Sequence, residues 1–196
     1  MTDVELLDEE IDGRRRRSAD SRARIVAAML GLVAEGDTTP SAENVATRAQ
    51  VGLRTVFRHF RDMESLYAEM SAHVEGELRA MIAEPLRGPT WQERLMEIGR
   101  RRARVFEKIG PYQRAAVVHR RLSAVLAADH ARLVTSARAI IEQALPAEVR
   151  ERPILADALD LVLSFETWDR LRTAQGLSVE AATGVIAAIV QRQIAA

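Results

Sequence analysis

Cysteine is absent from these 196 residues, so disulfides and thiolate-held metals are both excluded. Aromatic residues make up only 4% of the chain, which leaves core packing to aliphatic side chains and alanine. Glycine and proline are sparse, ten and six, and that scarcity favours helix over sheet. Lysine occurs once, at Lys108, so the positive charge is almost all arginine. No apolar run approaches the ~18 residues that a membrane-crossing helix needs. The first twelve residues are acidic, unlike the basic-then-apolar pattern of a secretory leader. The expectation is a cytoplasmic protein with no membrane partner.

What is present is an apolar fraction of 47%, enough for a real core, and charge that is balanced in total but not in place. Residues 1–13 hold six acids and no base. Residues 14–61 hold ten arginines against four acids. A short basic segment on a neutral chain is an electrostatic footprint for phosphate, although a solvated arginine-rich surface gives the same tally.

The periodicity predicts an all-α chain of about nine helices. Residues 1–17 read as a disordered acidic tail followed by a basic arm, Arg14, Arg15, Arg16 and Arg17. Residues 18–62 read as a three-helix domain, and residues 63–196 as a second helical domain. A first helix spans about 18–35, ended by Gly36. Ser41 caps a short second helix over 42–49, and a third covers 53–59. Asp62 caps a fourth over 63–83, and Thr90 a fifth that ends near 108, before the Gly110-Pro111 break. Helices over 112–127, 129–145, 154–174 and 179–194 follow.

The informative stretch is Ser41–Leu66, SAENVATRAQVGLRTVFRHFRDMESL. Two short helices separated by three residues cannot bury a core alone and must cross steeply. Ala46 and Ala49 are small enough to allow close approach, and Val45, Val51, Val56 and Phe60 are the inward candidates. That frees Leu53, Arg54, Thr55 and Arg58 for other faces, as a major-groove helix requires. Arg54 can fork onto guanine O6 and N7, worth ~1–3 kcal/mol of discrimination. Leu53 and the Thr55 methyl suit thymine methyls, while Arg58, His59 and Arg61 suit phosphates. Arg14–Arg17 suit a backbone-following or minor-groove arm. Pattern alone also allows an ordinary helical hairpin in an all-α core.

The residue identities resemble the DNA-binding domain of TetR-family transcriptional regulators over about 18–70. The family order of small residue, Val, cap, two variable positions, Thr, aliphatic, aromatic, variable, His or Tyr, Phe is matched by Ala49, Val51, Gly52, Leu53, Arg54, Thr55, Val56, Phe57, Arg58, His59 and Phe60. Four positions depart from it. Gln50 stands where glycine is common, which predicts a tighter or a strained turn. Gly52 replaces a Ser or Thr cap, Phe57 a phosphate-binding tyrosine, and Met63 a phosphate-binding lysine. The resemblance implies a homodimeric repressor that binds a double-stranded palindromic operator and leaves it on binding a small-molecule effector. It implies no enzyme activity, cofactor or metal. A helical interaction protein on the same fold, with weakened or lost DNA binding and no ligand gating, is the alternative.

In the second domain, Met96, Phe106, Tyr112, His119, Phe165 and Trp168 are the candidates to line an effector cavity. The last two helices are apolar on more than one face, so Leu155, Leu159, Val162, Val185, Ile186 and Ile189 are expected in a dimer interface. Catalysis finds no support: there is no His-x-x-x-His pair, no glycine-rich phosphate loop and no Ser-x-x-Lys. The acid pairs Asp157/Asp160 and Glu166/Asp169 read as solvated helix faces.

Overall fold

The computed structural model describes residues 3–121 and 123–195. Among them every regular element is helical: α1 (Asp3–Ala34), α2 (Ala42–Ala49), α3 (Leu53–His59), α4 (Met63–Ala83), α5 (Trp91–His119), α6 (Ala124–Ala144), α7 (Ala147–Arg150), α8 (Pro153–Val162), α9 (Phe165–Asp169), a π-helical turn (Arg170–Ala174) and α10 (Val179–Ala195). None of these helices is long and apolar enough to cross a membrane.

The expected stop signals operate where a side chain or a left-handed residue closes the turn. Gly36, at φ +101°, lets Asp37 N–H reach the Leu32 carbonyl at 3.1 Å and ends α1. Ser41 Oγ accepts from Asn44 N–H at 3.1 Å and starts α2. Thr90 and Glu93 cap each other at the start of α5: Glu93 N–H donates to Thr90 Oγ1 (3.2 Å) and Thr90 N–H to Glu93 Oε2 (3.0 Å).

Four boundaries differ from the sequence expectation. α1 begins at Asp3, so the tail and arm read as disordered are helical from there on. No proline interrupts residues 3–34, and the stretch is rich in the strong helix formers Ala, Leu, Arg and Glu. α5 continues through Gly110-Pro111 without a break in its helical assignment. An interior proline costs ~3 kcal/mol, yet buried Val105 and Ile109 before it and buried Ala115 after it hold the helix. The helix ends instead at His119, and Ser123 Oγ accepts from Leu126 N–H (3.1 Å) at the start of α6. The expected helix over 154–174 breaks after Leu163, because Ser164 caps α9 by accepting from Thr167 N–H at 3.2 Å. The stretch expected to link 146 to 153 holds the single turn α7.

The chain forms two compact units, and they do not divide at residue 62. One comprises residues up to Val74 with Pro111–Leu126; the other comprises Glu75–Gly110 and Ala127–Ala196. Helices α4, α5 and α6 therefore supply residues to both. The core of the first unit contains Ile25, Met29, Val33, Val45, Val56, Phe60, Leu66 and Met70, with Ala115 and Leu126 joining from the later segment. The core of the second contains Leu95, Ile98, Ile141, Leu155, Leu159, Leu163, Trp168, Ile186 and Val190.

Candidate nucleic-acid interface and a candidate effector cleft

The short α2 is held by its apolar side. Ala42, Val45, Ala46 and Ala49 are buried. Its opposite end is held by charge: Arg48 forks onto Glu35 at the end of α1, at 2.7 and 2.6 Å. The Arg48 side chain lies across Gly31, where a Cβ would meet its Nη2 at 2.6 Å. The pair holds the Glu35 carboxyl below, and the Arg48 guanidinium above, their ordinary values.

Gln50 then turns the chain in the left-handed region, φ 54° and ψ 46°, the strained conformation its position predicted. Its N–H bonds back to Thr47 at 3.1 Å, and that of Val51 to Ala46 at 3.0 Å. Gly52 is the N-cap of α3 and supplies no side-chain bond.

α3 then has two sides. Val56 is buried, Thr55 and His59 are half-buried, and Phe60 closes the core just past the end. Leu53, Arg54, Phe57 and Arg58 face outward, with Phe57 47% exposed. Neither Arg54 nor Arg58 has an ion-pair partner among the described residues. Two free guanidiniums and two exposed apolar side chains on one helical face are suited to base edges and thymine methyls.

Two expected phosphate ligands are placed differently. His59 is turned inward: its Nε2 is buried and unpartnered. Burial, then the charges of Arg58 and Arg22, hold the imidazole below its ordinary value. Arg61 is exposed but bonded to Asp62 at 2.9 Å. Asp62 also accepts from Ser65 N–H (2.8 Å) as the N-cap of α4, and that backbone bond, then Arg61, lower its carboxyl. Arg15, Arg16 and Arg17 are exposed along α1; the side chain of Arg14 lies outside the described residues.

Arg22, counted in the sequence only as part of the basic tally, is bonded at both ends of its fork. Nη1 donates to the His59 carbonyl (3.0 Å) and Nη2 to Glu69 Oε2 (2.8 Å), with the guanidinium 4.4 Å above the Phe60 ring centre. No spacing rule finds such a residue, because its partners lie 37 and 47 positions away.

In the second unit, a largely apolar cleft of about 420 Å³ opens between α5, the α8–α9 break and α10. Met96 and Trp168, both expected in a cavity, line it, joined by Leu163, Gly99, Gly184 and Ile186. Trp168 presents only its ring, because Nε1–H donates to Glu107 Oε1 at 3.0 Å. Arg172 holds the same Glu107 carboxylate with two bonds, at 2.9 and 3.0 Å. The free polar groups of the cleft are Arg100 and Glu180. Phe106 and Phe165 pack edge to face at 5.6 Å, outside the cleft lining.

Tyr112 and His119 belong to the first unit and do not reach this cleft. His119 stacks on Tyr67 at 4.1 Å, and its Nε2 lies 3.1 Å from the Thr38 carbonyl. Burial, then Asp37, push the Tyr67 hydroxyl up to about 12, so it stays protonated and donates to Thr38 O at 3.3 Å.

The expected interface residues divide in the same way. Leu155, Leu159 and Ile186 are buried in their own chain's core and cannot form an outward face. Val162 and Ile189 are half-buried, and Val185 is exposed. The outward large apolar residues of α8 among the described residues are Ile154 and Leu161, 85% and 66% exposed. They are seven apart, a helical repeat that a wheel of α8 would have separated from Leu155 and Leu159.

No family model matches the chain, and no curated protein matches it. Solved structures do. A transcriptional regulator from Rhodococcus sp. Rha1 is similar with a TM-score of 0.67 at 19% identity, over 88% of this chain and 95% of that one. A TetR-family transcriptional regulator from Streptomyces coelicolor gives 0.61 at 18% identity, over 89% and 81%. The multidrug binding protein EbrR, solved with imidazole, gives 0.57 at 20%, over 86% and 88%. The chain has the all-α fold of TetR-family transcriptional regulators, with an N-terminal helix-turn-helix and a C-terminal helical domain.

Proposed function

We propose that this chain is a DNA-binding transcriptional regulator, a homodimeric repressor released from a palindromic operator by a small molecule. The observation that carries the reading is the outward face of α3, where Arg54 and Arg58 stand free beside exposed Leu53 and Phe57. Arg54 reads a base edge, and Arg58 meets phosphate. Two copies place two such helices about one turn of B-DNA apart, ~34–36 Å. The outward face of α8, Ile154 and Leu161, with Val185 of α10, supports pairing of the two copies. The cleft bounded by Met96, Gly99, Trp168 and Gly184 supports binding of a mainly apolar effector. That neighbouring folds include one solved with imidazole agrees with this. The effector releases DNA only insofar as it prefers the state whose recognition helices do not match operator spacing.

Gel shifts on a duplex chosen by selection from a random library test the reading. Arg54→Ala lowers affinity for the selected duplex by ~1–3 kcal/mol and leaves random duplex almost unchanged. Arg58→Ala weakens both and flattens the salt dependence by about one unit of slope. Failure of the wild-type chain to select any duplex favours the interaction-protein reading instead.

A further inference from the structure

We propose that Arg22 is a positioning residue for sequence reading: it sets the pose of α3 and touches no DNA. The inference rests on the DNA-binding reading of α3. A helix of seven residues has few bonds of its own, and its last carbonyls have no helical partner. One of these, the carbonyl of His59, takes its hydrogen bond from Arg22 on α1. The second arm of the same fork is fixed by Glu69 on α4, and the flat face of the guanidinium rests over Phe60, the residue that ends α3. One planar cation thus joins α1 and α4 to the C-terminal end of α3. Tilting or rolling α3 breaks at least one of the three contacts.

Arginine suits this place because its two Nη groups diverge in a fixed plane. A lysine reaches one acceptor well and offers no flat face. Because 41% of the Arg22 side chain remains open, a direct phosphate contact is the competing role. The two roles differ in salt dependence. A phosphate ligand displaces counterions on every sequence, whereas a positioning residue alters only the fit to bases.

The experiment measures the full chain as wild type, Arg22→Met, Arg22→Lys and Glu69→Gln, on the selected duplex and on random duplex across a salt series. Arg22→Met loses about tenfold on the selected duplex, stays within about twofold on random duplex and keeps the wild-type salt slope. Arg22→Lys recovers part of the loss. Glu69→Gln, which leaves the His59 bond possible, loses less than Arg22→Met. A salt slope flatter by about one on both duplexes overturns the proposal in favour of phosphate binding. Amide exchange gives an independent readout that needs no DNA. Arg22→Met speeds exchange at Val56 to Phe60 at least tenfold, while Val45 and Ala46 of α2 keep their rates. Unchanged exchange at Val56 to Phe60 overturns the proposal even if the wild-type chain binds no duplex. In that case the failure of DNA binding is recorded separately.

Discussion

Replacing Gln50 with glycine isolates the strain in the turn between α2 and α3. Gln50 is the one non-glycine residue with positive φ among the described residues, at 54°. Its side chain is exposed and makes no hydrogen bond among the described residues, so the substitution removes none. Holding an ordinary residue in the left-handed region costs ~1–2 kcal/mol. Glycine returns that cost but gives up ~0.5–1 kcal/mol more backbone freedom on folding. The net gain is therefore ~0–1.5 kcal/mol, about 0.75 kcal/mol at the midpoints of the two ranges. At that midpoint, a chain of this length gains roughly 1.5–3 °C in melting temperature. The bonds of the turn are main-chain bonds, from Gln50 N–H to Thr47 and Val51 N–H to Ala46, and glycine keeps both. Gln50→Val is the counter-test, since a β-branched residue fits this region worst; its melting temperature falls below wild type. Thermal unfolding followed by circular dichroism reads all three proteins. A glycine variant no more stable than wild type, or a valine variant equal to it, would refute the reasoning.

Two other outcomes are expected. His59 is held below its ordinary value of 6.5 in the folded chain, so between 6.5 and the lower folded value the unfolded chain binds more protons. Stability is full above about 6.5 and falls as pH drops through that window. His59→Gln removes that part of the slope, which melting curves at a series of pH values detect; parallel slopes in both proteins contradict the assignment. Leu161→Glu with Ile154→Glu weakens self-association by ~100-fold or more, since each exposed aliphatic side chain gains ~1.5–3 kcal/mol on full burial. Sedimentation velocity reads this, and Leu159→Glu serves as contrast because it lowers the melting temperature of the chain itself. An unchanged sedimentation coefficient for the double variant assigns dimer contacts elsewhere.

What was legible in the sequence was local. Gly36, Ser41, Asp62 and Thr90 terminate or start helices through bonds within three to five residues, and such bonds leave a mark in spacing. The split of α3 into Val56 against Arg54 and Arg58 follows from helical period alone. What was not legible depends on distant partners. The Gly110-Pro111 pair reads as a break until the packing of Val105, Ile109 and Ala115 is known. Residue type suggests a phosphate donor at His59, but the burial of its Nε2 depends on packing that spacing does not reveal. Leu155, Leu159 and Ile186 were expected to face a second copy because apolar count alone does not say which face is already covered. His119 and Tyr112 were expected with Trp168, yet helix α5 delivers its last residues to the other unit's core.

The interruption after Leu163 has an evolutionary corollary. Breaking the helix frees the Leu163 carbonyl, and Arg102 takes it at 2.7 Å while its other arm reaches the Ala137 carbonyl. Loss of water around it brings this guanidinium down to about 10, offset in part by Asp160. A mutation that mends the helix strands the cation, and one that deletes the cation strands two carbonyls. Serine at 164 and arginine at 102 are thus expected to tolerate replacement together better than either does alone.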